Sequence, residues 1–247
     1  MRLYFIALQF LTIIPLPFAV RCEEEDMGRS MALFPVVGLT IGLFLAGLDY
    51  LLGFVFPRPV TDLLLITALA AVTGALHLDG LADVFDGLAA RGGKERFLAV
   101  MKDSRTGAVG VVALALGLLL KNQALLHIPP DQKRAVLIFF PMVARMAQVQ
   151  MTVGALRART DGLGATFVSG AGPVQFAVAY IITLSAAFLL LGVPGIYCCI
   201  ILYLLTWGLK AWFHRRLGGI TGDIIGCTSE LNEIAALLAI IALTKLT

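Results

Sequence analysis

The chain has 247 residues, 59% of them hydrophobic and 14% charged, with a net charge of +3. Soluble domains carry about 25% charged residues, and a chain this apolar cannot hide its surface in one water-soluble core. The composition therefore points to lipid as the solvent, and with no basic arm or aromatic-interleaved patch it gives no support to nucleic acid as a partner.

The first twenty residues are apolar, but Pro15 and Pro17 interrupt them and an acidic run, Glu23 to Asp26, follows where a signal peptide would have a small-residue cleavage site. They read as a retained membrane-associated segment, helical to about Ile14. A span of about 30 Å of hydrocarbon needs roughly 20 apolar residues. Six stretches qualify: 31–56, 61–89, 108–126, 135–156, 174–191 and 195–213. A seventh, 223–244, is amphipathic at its start. Prolines at 57, 59, 129, 130 and 173 mark turns between them. The expected fold is all-α and polytopic, one integral-membrane domain over 1–247. The cysteines (Cys22, Cys198, Cys199, Cys227) lack metal-ligand spacing.

Strict alternation of the spans puts Arg91, Lys94, Arg96, Lys102 and Arg105 on one side, with Arg157, Arg159, Lys210, Arg215 and Arg216 and the early Arg21 and Arg29. The other side receives Arg58, Lys121, Lys133, Arg134 and Lys245. The richer side is expected to be cytoplasmic.

Polar residues inside such spans are costly and mark function. Asp79, Asp83 and Asp86, spaced i, i+4, i+7, fall within about 60° of one another on a helix. Three carboxylates on one face repel each other, and a divalent cation reverses the sign. Hard oxygen ligands suit Mg²⁺, or Mn²⁺ as a substitute, with phosphate oxygens completing the shell. Gly80 and Gly87 beside them allow a neighbouring helix or a phosphate close to the backbone. His77 lies on nearly the opposite face and reads as a polar residue hydrogen-bonded between helices. The second motif, Met101 to Gly110, opens the third span. Asp103 or Ser104 can cap it, its glycines bring amides toward an anion, and Lys102 and Arg105 can hold phosphate oxygens. The third motif begins at Leu217. Gly218, Gly222 and Gly226 form a small-xxx-small series, Asp223 opens the last helix, and Glu230 sits about 10 Å deeper. Mid-span Arg145 calls for a partner, Glu230 or Glu233.

These motifs together resemble the cobalamin synthase family, adenosylcobinamide-GDP ribazoletransferases. The resemblance rests on His77-Leu-Asp-Gly-Leu-Ala-Asp-x-x-Asp-Gly87, on Met101-Lys-Asp-Ser-Arg105 with Gly107 and Gly110, and on Gly218-Gly-x-Thr-Gly-Asp-x-x-Gly226 leading into Glu230. Pro15-x-Pro17 and Phe34-Pro35-x-x-Gly38 fit as well. Lys102 stands where arginine is common in the family, and Cys227 where a small residue is common. The resemblance implies a magnesium-dependent transferase at the cytoplasmic face of the cell (inner) membrane. It would join adenosylcobinamide-GDP to α-ribazole, or its 5′-phosphate, and release GMP. In that reading Asp79, Asp83 and Asp86 hold the metal, and Asp86 or Asp103 takes the hydroxyl proton. Lys102, Ser104, Arg105 and Gly80 meet phosphate, with His77, Asp223, Glu230 and Arg145 in support. Membrane lipid is the other expected partner, and a homo-oligomer is left open. The aspartate motif is also similar to that of CDP-alcohol phosphotransferases, although Asp83 stands where that signature has arginine. A cation- or proton-coupled transporter is the remaining alternative, disfavoured by the lack of an internal repeat and by carboxylates near one surface.

Overall fold

The computed structural model describes residues 1–158, 167 and 170–245; Arg159 and the 162–164 segment lie outside the described residues. It is helical almost throughout. An amphipathic α1 (Arg2–Leu11) leads through an extended stretch into α2 (Glu24–Ser30) and a single 3₁₀ turn. Then follow α3 (Phe34–Leu52), α4 (Arg58–Val72), α5 (Leu76–Ala89), the short α6 (Lys94–Val100), α7 (Ala108–His127) and α8 (Lys133–Thr152). The last elements are α9 (Pro173–Leu217) and α10 (Gly222–Thr244). Prolines sit in the first turns of α3, α4 and α9, where a missing N–H costs nothing. Among the described residues, five helical stretches are long and apolar enough to cross a bilayer, or six when α4 and α5 count as one broken span.

That break corrects the expected straight span over 61–89. Gly74 (φ 60°) and Ala75 (φ 56°) both take left-handed backbone, and α4 meets α5 at 89°. The backbone amide of Ile13 donates to Val72 O (2.9 Å), and the Ile13 side chain packs on Gly74, so the segment after α1 braces the elbow. α1 ends at Leu11, before the expected boundary.

α9 does not keep one direction along its length. Its 45 residues would extend about 67 Å as a straight helix, twice the hydrocarbon thickness. Gly192 (φ 64°, ψ −142°), two residues before Pro194, turns it back. A Cβ on Gly195 would lie 2.4 Å from Ala187 O, and the rings of Tyr180 and Tyr203 are 6.1 Å apart. The limbs 173–191 and 193–217 are therefore an antiparallel hairpin, as the two expected spans require.

α8 forms the centre. It is almost wholly buried, whereas α9 turns most of its apolar surface outward. This is the membrane arrangement, in which packing rather than hydrophobicity holds helices together and small residues set the distance. Cβ atoms on Gly38 and Gly42 of α3 would come within 2.5 Å of Met142 Cα and Ile138 O of α8, so these helices cross antiparallel in backbone contact. Gly42→Leu is expected to destabilise the protein by about 3 kcal/mol or more. Thermal unfolding in detergent measures this, and an unchanged midpoint would refute the close crossing.

At one end of the bundle, Ile220 N–H donates to Leu156 O (2.9 Å) and Ala158 N–H to Ile220 O (3.0 Å). Gly218 lies against Lys94 Nζ, and Gly28 against the backbone of Gly170. The segments after α5, α8 and α9, with α2, thus gather on one face, as alternation demands. The opposite side loses two of its expected cations. Lys121 and Lys133 are both buried, and Lys133 pairs with buried Asp62 (3.0 Å), which Arg58 also holds, together with Asp49.

Candidate active site

Helix α5 carries the aspartates on one face, with Asp79 exposed and Asp83 and Asp86 half-buried. Its glycines set its neighbours. A Cβ on Gly87 would meet Phe97 and Met101, so α6 lies over the end of α5. A Cβ on Gly80 would come 2.6 Å from Asp223 O, and one on Gly226 would lie 3.3 Å from His77 Cα. α10 therefore crosses α5 antiparallel, and Asp223 enters beside the turn that carries Asp79 and Asp83. This corrects Gly80 as a phosphate contact: the close approach is made by the helix. It also splits the glycine series. Gly218 is the left-handed C-cap of α9 (φ 72°), whereas Gly226 packs within the α5–α10 crossing.

Asp86 leaves α5 for α7. Its Oδ2 accepts the Gly107 N–H at 2.6 Å and its Oδ1 the Gly110 N–H at 2.8 Å. The N-cap residue of α7, Gly107, has no side chain of its own to cap with. Asp86 supplies the cap from another helix, in place of the expected Asp103 or Ser104. The same bonds turn both Asp86 oxygens toward α7, and they fill the amides expected to meet an anion. Asp103 turns inward on its own loop, accepting from Arg105 N (3.1 Å), Nε (3.0 Å) and Nη2 (2.8 Å). That guanidinium, with the backbone bond, lowers the Asp103 carboxyl to about 2. A group so acidic is a weak proton acceptor near neutrality. Lys102, Ser104 and Arg105 are exposed at the same end.

Deeper in the bundle lies a charged cluster. Glu233 Oε1 accepts from Arg145 Nη1 (2.7 Å) and its Oε2 from Lys121 Nζ (2.5 Å), while Lys121 also donates to Glu230 (2.6 Å) and Arg145 to Ser229 Oγ (3.0 Å). All four charged residues are at most 5% exposed. The expected partner of Arg145 is thus Glu233. Lys121 lies inside the expected 108–126 span but was counted with the cations of one membrane side. The signal was the charge balance, since two in-span glutamates against one arginine call for a second cation. His77 is buried as expected, but both ring nitrogens lack a hydrogen-bond partner. Among the described residues, no three His, Cys, Asp or Glu side chains are grouped closely enough to hold a metal ion.

The spans, the paired charges within them and a carboxylate-rich end faced by cations define a polytopic membrane protein with a polar site at one membrane surface. Residues 3–241 match the cobalamin-5-phosphate synthase (CobS) family. The chain belongs to that family, and it is an enzyme of the transferase class. A protein of Geotalea daltonii named adenosylcobinamide-GDP ribazoletransferase is 66% identical over 243 residues, 98% of both chains. Proteins of the same name from Roseiflexus sp. and Clostridium tetani are 38% and 31% identical, covering 94% and 97% of this chain and 86% and 96% of their own. No solved structure matches the chain.

Proposed function

We propose that this chain is the adenosylcobinamide-GDP ribazoletransferase of its source, working at the cytoplasmic face of the cell membrane. The observation that carries the reading is the crossing of α5 and α10 at Gly80 and Asp223, which brings Asp79, Asp83 and Asp223 to one end beside the basic 101–110 loop. The relatives' shared name and the family support the reaction class. In that reaction a ribazole hydroxyl attacks the β-phosphorus of the GDP portion, the bond to the bridging oxygen breaks, and GMP departs with that oxygen.

The carboxylates of α5 and Asp223 offer oxygen alone, the donor chemistry of a hard divalent cation, although no three of them are grouped closely enough to hold one by themselves. Two of Asp79, Asp83 and Asp223, together with phosphate oxygens of the substrate, would hold Mg²⁺, which when bound supplies charge neutralisation at the diphosphate. Lys102 and Arg105 bind phosphate oxygens from the facing loop, with Asp103 setting the Arg105 side chain through its paired bonds. The transition state of phosphoryl transfer is loose, so orientation of the alcohol matters more than a strong base. The hydroxyl proton goes to an α5 carboxylate, leaving Asp103 as the anchor of Arg105.

The test is turnover by purified protein in lipid or detergent, supplied with adenosylcobinamide-GDP and α-ribazole. Release of GMP with formation of the joined product, abolished by a chelator and restored by Mg²⁺, is the expected result. No release from folded protein would discard the assignment. Release of CMP from a CDP-alcohol would redirect it.

A further inference from the structure

We infer that Asp86 is a positioning residue that fixes the phosphate-binding loop by serving as the N-cap of α7 from another helix. The residues between α5 and α7 are held at two places. Near the start of the loop, Phe97 and Met101 pack on Gly87. At its end, the Asp86 carboxylate receives the amides of Gly107 and Gly110. Between these anchors lie Lys102 and Arg105. The opening amides of a helix have no intrahelical partner and carry the positive end of its dipole, so an ionised carboxylate there is favourable.

The seat is built for this side chain. A Cβ on Gly107 would lie 2.5 Å from Asp86 Oδ1, and one on Gly110 would lie 2.5 Å from Oδ2 and 2.9 Å from Ala82 O. Both glycines are therefore required by the carboxylate and not by backbone angles, since neither has positive φ. Only a carboxylate presents two acceptors at once; asparagine of the same shape offers one and sets its amide against the other N–H. The first and second motifs of the sequence are in this way one mechanical unit, with the aspartate at its joint.

This inference rests on the proposed transferase reading only for its activity arm. In ligand-free protein, Asp86→Asn is expected to speed hydrogen exchange of the amides at 107–110 by about tenfold, with the rest of α7 unchanged. In turnover, Asp86→Asn and Gly110→Ala, which displaces the carboxylate without removing it, are both expected to raise KM for the GDP-bearing substrate. The Mg²⁺ concentration giving half-maximal rate should stay where it is in wild type. Unchanged exchange in Asp86→Asn would overturn the inference, because the asparagine variant keeps the shape and folds. A shifted Mg²⁺ requirement in Asp86→Asn, with Gly110→Ala like wild type, would overturn it too and make Asp86 a metal ligand. If wild-type protein transfers nothing, the functional reading fails while the exchange measurement still decides the role of Asp86.

Discussion

Asp83→Asn is expected to lower turnover by on the order of 10³-fold while the protein still folds and inserts, because the change keeps the side chain's size and removes its charge. Asp83 sits one turn beyond Asp79 on α5, half-buried, beside the Gly80–Asp223 crossing. A carboxylate held there, at the edge of an apolar bundle, carries a standing cost that a bound cation lowers. The variant removes that interaction without opening a cavity. The check is a rate assay beside thermal unfolding of the same preparation. A large rate loss with an unmoved unfolding midpoint supports the reading; full activity would end it. Asp79→Asn and Asp223→Asn should follow in the same direction, and excess Mg²⁺ should recover part of the rate wherever the loss is in binding.

The second large effect concerns stability. Glu233→Gln should destabilise the protein by about 3–5 kcal/mol, because it leaves two buried cations facing Glu230 alone. In wild type the cluster balances: Lys121 and Arg145 against Glu230 and Glu233, with every pairing at 2.7 Å or shorter. Breaking one member of a buried set is costly even where the whole set contributes little net stability, since the unbalanced charge left behind has no water to solvate it. A fall of roughly 10 °C in the unfolding midpoint is expected. By contrast, Arg105→Ala at the exposed Asp103 pair should leave the midpoint in place, because solvent screens that pair. Equal midpoints for Glu233→Gln and wild type would show that water reaches the cluster.

Several of these features are legible in the sequence for a physical reason. Carboxylates and an arginine inside apolar runs must be explained, so Asp79, Asp83, Asp86, Arg145 and Glu233 stand out, and the helical period places the aspartates on one face. The α9 hairpin is also legible, since Pro194 interrupts a run long enough to cross twice. Other features are silent. The α4–α5 elbow lies in a continuous apolar run without proline, and its left-handed Ala75 has no sequence signature. Charges near the ends of the expected spans carry no signal of their depth, which concealed the burial of Lys121, Lys133 and Asp62. The use of Asp86 could not be read at all, because its partners are backbone amides 21 and 24 residues away, and amides carry no residue identity.

The α9 hairpin bears on how the chain is made. From Pro173 to Leu209 the sequence contains no Lys, Arg, Asp, Glu or His, and the first charge is Lys210, at the end where the chain returns. A nascent chain leaving the insertion machinery can hand both limbs to lipid together, with the Gly192 turn leading. Neither strand has to drag a charge through the hydrocarbon. The turn then emerges with nothing behind it to form a loop, so this stretch offers almost no target to proteases or antibodies on the side where it emerges. Biogenesis of the α9 hairpin is in that sense a single step, and an arginine placed at the turn would test the machinery more than the folded enzyme.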